Sequence, residues 1–278
     1  MEALLAQKRR VRSSVGAGIF YPEDRKEILE YLRSFGLEEG NGGYAQAIIA
    51  PHGAWNYSGK LVAEAFTSAM GRSQSIKRVV ILGPCHDKRE NGLFLSNSHS
   101  FHTPLGKIPV DQSLSEEIEF HGSFFEINDI PHLSEHSIEI LLPFVKYCFP
   151  QASIVPILMG QPKAQYIYDL AQALKTVIAP VLDETLIIVS CNLSCDNNQQ
   201  TARLLAEETV SLFAQRNSPA LASAILDGRL NACGGALVAG LFESGLLDGT
   251  QGCSVADNMV SAVGAENNTV FYSELSYG

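Results

Sequence analysis

Six short apolar runs limit what this chain can fold into: AQAIIA (45–50), RVVILG (78–83), GLFLS (92–96), SIVPILMG (153–160), TLIIVS (185–190) and TVFYSEL (269–275). They are short, unbroken and rich in Ile and Val, as strands covered on both faces are. Helical patterns lie between them. Asp24–Phe35 carries Ile28, Leu29 and Leu32 on one stripe, and Ser58–Met70 follows the first histidine, His52. Ile138–Cys148 carries Leu141, Leu142 and Val145, and Lys163–Ile178, Thr201–Phe213 and Gly235–Phe242 complete the set. Strands alternating with helices imply βαβ crossovers. The expectation is an α/β fold, a single domain over residues 1–278, with a central mixed, mostly parallel sheet flanked by helices. Turn-rich Glu39–Gly43 and Asn197–Gln200 read as loops rather than linkers, and no internal repeat stands out.

Charge narrows the partners. A chain of 278 residues with 46% apolar and 18% charged residues can bury a sizeable core. A net charge of −10 argues against nucleic acid and anionic membrane as partners, since both would be repelled. Lys8, Arg9, Arg10 and Arg12 form a local basic cluster that reads as a solvated tail. No apolar run approaches the roughly 20 residues of a membrane helix. The opening MEALLAQKRRVRSS lacks the apolar stretch of a secretory signal, so a cytoplasmic location is expected. The six cysteines (85, 148, 191, 195, 233 and 253) form no CxxC pair and are expected mostly as small buried residues.

The chemistry gathers at strand ends. AIIAPHG (47–53) and VVILGPCH (79–86) share one layout, an apolar run, a proline and then a histidine. In open α/β sheets ligands bind beyond the carboxyl ends of the strands, so His52 and His86 point to one crevice. TLIIVS runs into CNLSC and brings Asn192 and Cys195 to a comparable end. Two imidazoles are too few for a tight metal site, and the candidate third ligands are Cys85, Cys191, Cys195 and Cys233. Cys233 stands out because NACGG opens an apolar helix, whose N-terminus lowers a thiol pKa; a small buried residue at a tight turn is the competing reading. His99, His102, His121 and His132 lie in polar, loop-like sequence and read as surface residues. His136, in HLSEHSIEI, reads either as a site residue or as part of a helix start capped by Ser134, with Glu135 and Glu139 favouring the helix dipole. There is no GxGxxG after a strand, no GxxxxGK[ST], no GxSxG and no HExxH.

In order along the chain, VGAGIFYP (15–22), AIIAPHGAWNYSG (47–59), VVILGPCH (79–86), HTPLGKIPVD (102–111), SEHSIEILLPF (134–144), SIVPILMG (153–160) and CGGALVAGL (233–241) resemble the landmarks of the Memo family. Its prokaryotic members are called AmmeMemoRadiSam system protein B. That family looks like the class III, LigB-type extradiol dioxygenases, single α/β domains using non-haem Fe(II). The resemblance implies metal ligands at His52, His86 and Cys233, with Cys233 where the dioxygenases use a carboxylate, and it gives His136 a place in the cleft. Fe(II) is the implied ion, with Cu and Zn also compatible. Two departures stand out. The family's PHAGY is here PHGAW, and its SSDFxH-like stretch is SCNLSC, with Asn192 for an acidic residue and Cys195 for the acid–base histidine.

Three functions follow as expectations. The first is an Fe(II)-type oxidoreductase acting on a small molecule, with activity altered by Asn192 and Cys195. The second is a recognition module whose cleft holds a peptide or partner protein. The third is a component of a modification system beside radical-SAM and AMMECR-type proteins.

Overall fold

The computed structural model describes residues 10–37, 42–250, 252–255, 259–263 and 268–278. Lys8, Arg9 and residues 39–41 of the expected first loop lie outside them. Along the described chain the elements are β1 (Val11–Arg12), α1 (Arg25–Ser34), β2 (Ala47–Ala50), α2 (Trp55–Thr67), β3 (Arg78–Pro84), β4 (Leu93–Leu95), β5 (Ser100–Thr103), β6 (Gly106–Pro109), α3 (Gln112–His121), β7 (Phe125–Ile127), α4 (Ile130–Ser134), α5 (Leu142–Cys148), β8 (Ser153–Met159), α6 (Ala164–Ala173), β9 (Thr185–Ser190), β10 (Ser194–Asp196), α7 (Gln199–Ala214), α8 (Ser218–Leu226), α9 (Gly235–Glu243), β11 (Cys253–Val255), β12 (Val260–Val263), β13 (Thr269–Tyr272) and β14 (Leu275–Tyr277).

Eight strands form the central sheet in the order β11-β14-β2-β9-β3-β8-β4-β7. The middle four, β2, β9, β3 and β8, run parallel. On one side β14 and β11 add antiparallel pairs; on the other β4 runs antiparallel to β8. The sheet is therefore mixed with a parallel centre, as the alternating pattern implies. Its faces follow the period-2 rule: Val80 and Leu82 of β3 pack with α6 and α9 residues Leu170 and Leu237. Val79 and Ile81 pack on the opposite side, where α2 and α5 contribute Phe66 and Phe144. Truncating a ring such as Phe66 to Ala would cost about 3–5 kcal/mol, the transfer term plus the cavity left behind.

Several boundaries differ from the sequence expectation for identifiable reasons. Helix α2 begins at Trp55, not Ser58: Ala54 holds the N-cap position without a capping side chain, and Ser58, one turn in, donates its Oγ proton back to the Gly53 carbonyl. The expected loop at 197–200 is a helix start, since the Asn198 side chain accepts from Thr201 N and caps α7. TVFYSEL is two strands, not one. Residues 269–272 pair with β10 and β12 in a separate sheet, the chain steps at Ser273–Glu274, and 275–277 pair with β2. Ser134 ends α4 rather than capping a helix, so His136 sits in the turn that follows, before a single 3-10 turn at Glu139–Leu141. Arg12 does not belong to a solvated tail: its guanidinium is buried against Glu139. His132 is not a surface residue either; it is buried, with Nε2 on the Phe94 carbonyl. Of the cysteines, 85, 148 and 191 are buried, 233 and 253 half-buried and 195 exposed, so burial is less general than expected.

Candidate metal centre

The parallel centre fixes where the site must be. The carboxyl ends of β2, β3 and β9 lie at one edge of the sheet, and beyond them come His52, His86 and the segment 190–192. The ring centroids of His52 and His86 are 5.2 Å apart, which satisfies the expectation that two strand ends deliver two imidazoles to one place. Cys233 reaches the same point from the turn before α9, its Sγ 3.4 Å from His52 Nε2. One ligand atom from each of His52, His86 and Cys233 lies within 4.8 Å of the others, a group able to hold a metal ion.

Hydrogen bonding sets the tautomers. His52 Nδ1 is 2.7 Å from Ser190 Oγ, whose own proton goes to the Ser137 carbonyl at 2.7 Å. The hydroxyl therefore accepts from Nδ1–H, and His52 Nε2 is left as a lone pair facing Cys233. His86 Nδ1 is 2.9 Å from Glu135 Oε1, and a carboxylate can only accept, so His86 also presents Nε2. This is the arrangement that orients metal-binding histidines, each ring pinned by a partner on its far nitrogen. Two imidazoles and one thiolate, all pinned, fit a divalent Fe, Cu or Zn ion.

Charge is arranged to match. The Cys233 thiol is held well below its ordinary value by a hydrogen bond from Cys191, with His52 and His86 adding to this against the opposing effect of burial. Burial pushes Cys191 up, so it stays a thiol and donates. Burial opposes the charged form of His86, but hydrogen bonds to Cys233 and Glu135 outweigh it and raise the imidazole to about 10. Against its own burial, Glu135 is held far below the usual carboxylate range by His86 and by backbone N–H groups.

His136 lies against both candidate ligands, 5.9 Å from His52 and 5.0 Å from His86 by ring centroid, and stacks on Phe20 at 4.6 Å. Burial, then the charge of His52 and His86, lowers it to about 4, so the ring is neutral at pH 7. His86, Glu135 and His136 form a second group with metal-ligand spacing. Glu135 Oε1 is already occupied there by His86 Nδ1, His136 N and Ser137 N, which makes that group the support of the first site.

The structure places Asn192 and Cys195 differently from each other. Asn192 Oδ1 accepts from His52 N at 3.0 Å, and Asn192 N donates to Cys233 Sγ at 3.2 Å, so Asn192 ties one ligand's backbone to another's sulfur. Cys195 sits in β10, its backbone N–H and C=O both held by the Asn231 side chain, with an exposed thiol raised by burial of its surroundings and by Asp196. Tyr272 closes the wall: a Cβ on Gly53 would meet its ring at 2.9 Å, which is why glycine follows the first ligand.

Sequence reasoning gave Glu135 to the helix dipole and passed over Ser190, Phe20 and Tyr272. Ser190 had a signal, a hydroxyl closing the unbroken apolar run 186–189. A cavity of about 390 Å³ opens against His86 and Cys233 and is walled by Met159, Ile225, Leu230 and Leu237, with Lys88 and Gln161 among its polar groups. The larger groove of about 1140 Å³ beside α7 holds a paired Arg203 and Glu207 and, among its described residues, no histidine or cysteine.

A family model described as Memo-like protein matches residues 12–273. A MEMO1 family protein of Thermotoga neapolitana is 29% identical over 247 residues, covering 84% of this chain and 88% of that protein. One from Aquifex aeolicus is 28% identical, covering 88% and 91%, and one from Thermotoga maritima is 31% identical, covering 68% and 72%. An uncharacterized Escherichia coli K12 structure overlays with a TM-score of 0.45 at 12% identity, covering 82% of this chain and 98% of that one, too distant to carry an argument. With the family model spanning nearly its whole length, the chain belongs to the Memo-like family.

Proposed function

We propose that this protein binds a divalent metal of the Fe(II) type through His52, His86 and Cys233, and acts on a small molecule at that ion with an altered redox chemistry. The observation that carries this reading is the convergence of three ligand atoms whose far sides are pinned by Ser190, Glu135 and Asn192. When bound, such an ion supplies Lewis acidity and one-electron exchange. The chain's own residues do the rest. His136 is a neutral proton acceptor 27% exposed at the edge of the site. Cys195 keeps its proton and Asn192 has none to give, so the acid–base group of the dioxygenase-like pattern is missing. The link to LigB-type dioxygenases rests on resemblance and belongs to this proposal. So does a place beside radical-SAM and AMMECR-type proteins, which co-purification from the source cells would test.

The deciding experiment is metal analysis of protein purified anaerobically, with His52→Ala and Cys233→Ser alongside. Both variants should lose most of the metal while keeping the wild-type circular dichroism. Full metal content in Cys233→Ser would show that the sulfur is structural and the ligand set wrong.

A second reading is a partner- or peptide-binding module built on the same cleft. Ile19, 73% exposed beside the Phe20 that stacks on His136, and Tyr57, 53% exposed, favour it. Replacing Ile19 and Tyr57 by Ser would then abolish partner capture without changing metal content.

A further inference from the structure

Cys233 has a second thiol beside it. Cys191 follows β9, and both sulfurs face one acceptor: Cys191 Sγ is 3.3 Å and Cys233 Sγ 3.7 Å from the Asn192 carbonyl oxygen. The two backbones are equally close. A Cβ on Gly234, the residue after Cys233, would lie 2.7 Å from Cys191 Cβ and 3.1 Å from its Cα. From the other direction, the N–H that follows Cys191 donates to Cys233 Sγ at 3.2 Å. Such proximity lies within the reach of a disulfide, which needs Cα atoms roughly 4.4–6.8 Å apart.

Access to the pair is one-sided. Cys191 is fully buried, whereas Cys233 is half-buried and lines the 390 Å³ cavity. A small oxidant can reach Cys233 first, with Cys191 waiting behind it. Cys195 is the competing partner, but Asn231 holds its backbone on both sides, and it touches Cys233 through no hydrogen bond.

We propose that Cys191 and Cys233 form a redox pair in which a disulfide closes the metal-free site. The inference rests on the ligand role of Cys233 for its consequence, though not for its chemistry. A hydroperoxide is the oxidant: the Cys233 sulfur attacks the O–O bond, becomes a sulfenic acid and releases water or an alcohol. The Cys191 sulfur then attacks that sulfur, the S–S bond forms and the hydroxyl leaves as a second water. Two thiols lose two electrons and two protons, the peroxide takes both, and a dithiol reductant reverses the step. The bridged sulfur is no longer a thiolate and cannot hold a metal. Conversely, a bound ion occupies the Cys233 sulfur and protects it.

The test uses full-length, metal-free protein treated with one equivalent of hydrogen peroxide, followed by non-reducing peptide mapping. A 191–233 disulfide, a loss of two titratable thiols and recovery of both with dithiothreitol are expected. Zinc uptake, read with a chromophoric chelator, should be lost with the bridge and return with the reductant. Preloading with zinc should slow bridge formation at least tenfold. In Cys191→Ser, treated with at least two equivalents, peroxide should carry Cys233 through sulfenic to sulfinic acid, one peroxide for each of the two oxygens gained, and dithiothreitol should not reverse it. A 195–233 bridge, or sulfinic acid at Cys233 in the wild type, overturns the pairing. If the bridge forms but reduced protein takes up no zinc, the redox pair stands and the metal reading fails.

Discussion

Replacing Glu135 by Gln should weaken metal binding and lower stability together. Four donors converge on this carboxylate, which is only 6% exposed: His86 Nδ1 at 2.9 Å, His136 N and Ser137 N at 2.8 Å on Oε1, and His86 N at 2.6 Å on Oε2. Glutamine keeps the shape but owns one oxygen. If that oxygen takes the Oε1 place with its three donors, the amide NH₂ faces the His86 N–H, and one charge-assisted bond becomes a buried clash of donors. Such a loss costs about 1.5–3 kcal/mol. For a chain of this size the melting temperature should fall by roughly 3–12 °C, at about 2–4 °C per kcal/mol. The loss also frees the ring that His86 presents to the metal, and loss of a supporting partner of this kind typically costs about 10–100-fold in affinity. Competition with a chelator of known zinc affinity reads the second number and calorimetry the first. Wild-type affinity in a folded Glu135→Gln protein would falsify the view that this carboxylate orients His86.

Three further outcomes follow. Glu274 is buried, its Oε2 has no partner among the described residues, and it is raised to about 7, by burial first and Glu64 second. The folded protein thus holds that proton more tightly than the unfolded chain, so stability is complete below about pH 4.5 and declines as pH rises through 7. Glu274→Gln should stabilise by about 1–3 kcal/mol at pH 8 and by almost nothing at pH 4; a gain independent of pH would refute this. Buried His132 is lowered to about 4, chiefly by burial, so its contribution is present above about pH 6.5 and lost as pH falls toward 4; urea unfolding of His132→Gln should show a flatter pH dependence across that window than the wild type. Reconstituted anaerobically with Fe(II), the wild type should show no catechol cleavage at ordinary enzyme rates, because a missing acid–base group removes on the order of a hundred- to ten-thousand-fold. Oxygen uptake gained only in Cys195→His would identify the missing proton carrier, and turnover by the wild type would refute the assignment.

The parallel centre and the placement of His52 and His86 at one edge of it were legible because each has a local cause. An unbroken apolar run is a strand buried on both faces, and the residue after its carboxyl end must face the crevice. His52 and His86 follow from that rule alone. The short strands 100–103, 106–109 and 194–196 were not legible, since three or four residues carry no period and exist through pairing partners distant in sequence. Glu135 illustrates the deeper limit. Its neighbours in sequence suggest a helix start, and only the approach of β3 turns the same carboxylate into the partner of a ligand forty-nine positions away. His132 and Arg12 mislead in the same way: polar residues in polar sequence are buried here because they satisfy one another's chain segments.

That mutual satisfaction explains why the segment before α1 belongs to the site. Buried Glu139 accepts from the Arg12 guanidinium, from Val15 N at 2.9 Å, Gly16 N at 2.7 Å and Tyr21 Oη at 2.8 Å. Arg12 in turn donates to the carbonyls of His132 at 2.9 Å and Glu135 at 2.7 Å. One ion pair thereby binds residues 12–21 to the turn that carries Glu135 and His136. Removing one partner would leave a buried charge unpaired at a cost of about 3–5 kcal/mol, far more than a surface pair is worth. The sheet alone can bring two imidazoles to one edge, but it cannot set the planes of their rings. Glu135 sets the plane of His86, and the Arg12–Glu139 pair sets Glu135. The Phe20 ring, on the same N-terminal segment, sets the plane of His136 by stacking. The spacing of His52 and His86 is therefore a property of the sheet, and the orientation of His86 and His136 a property of the segment wrapped across its end.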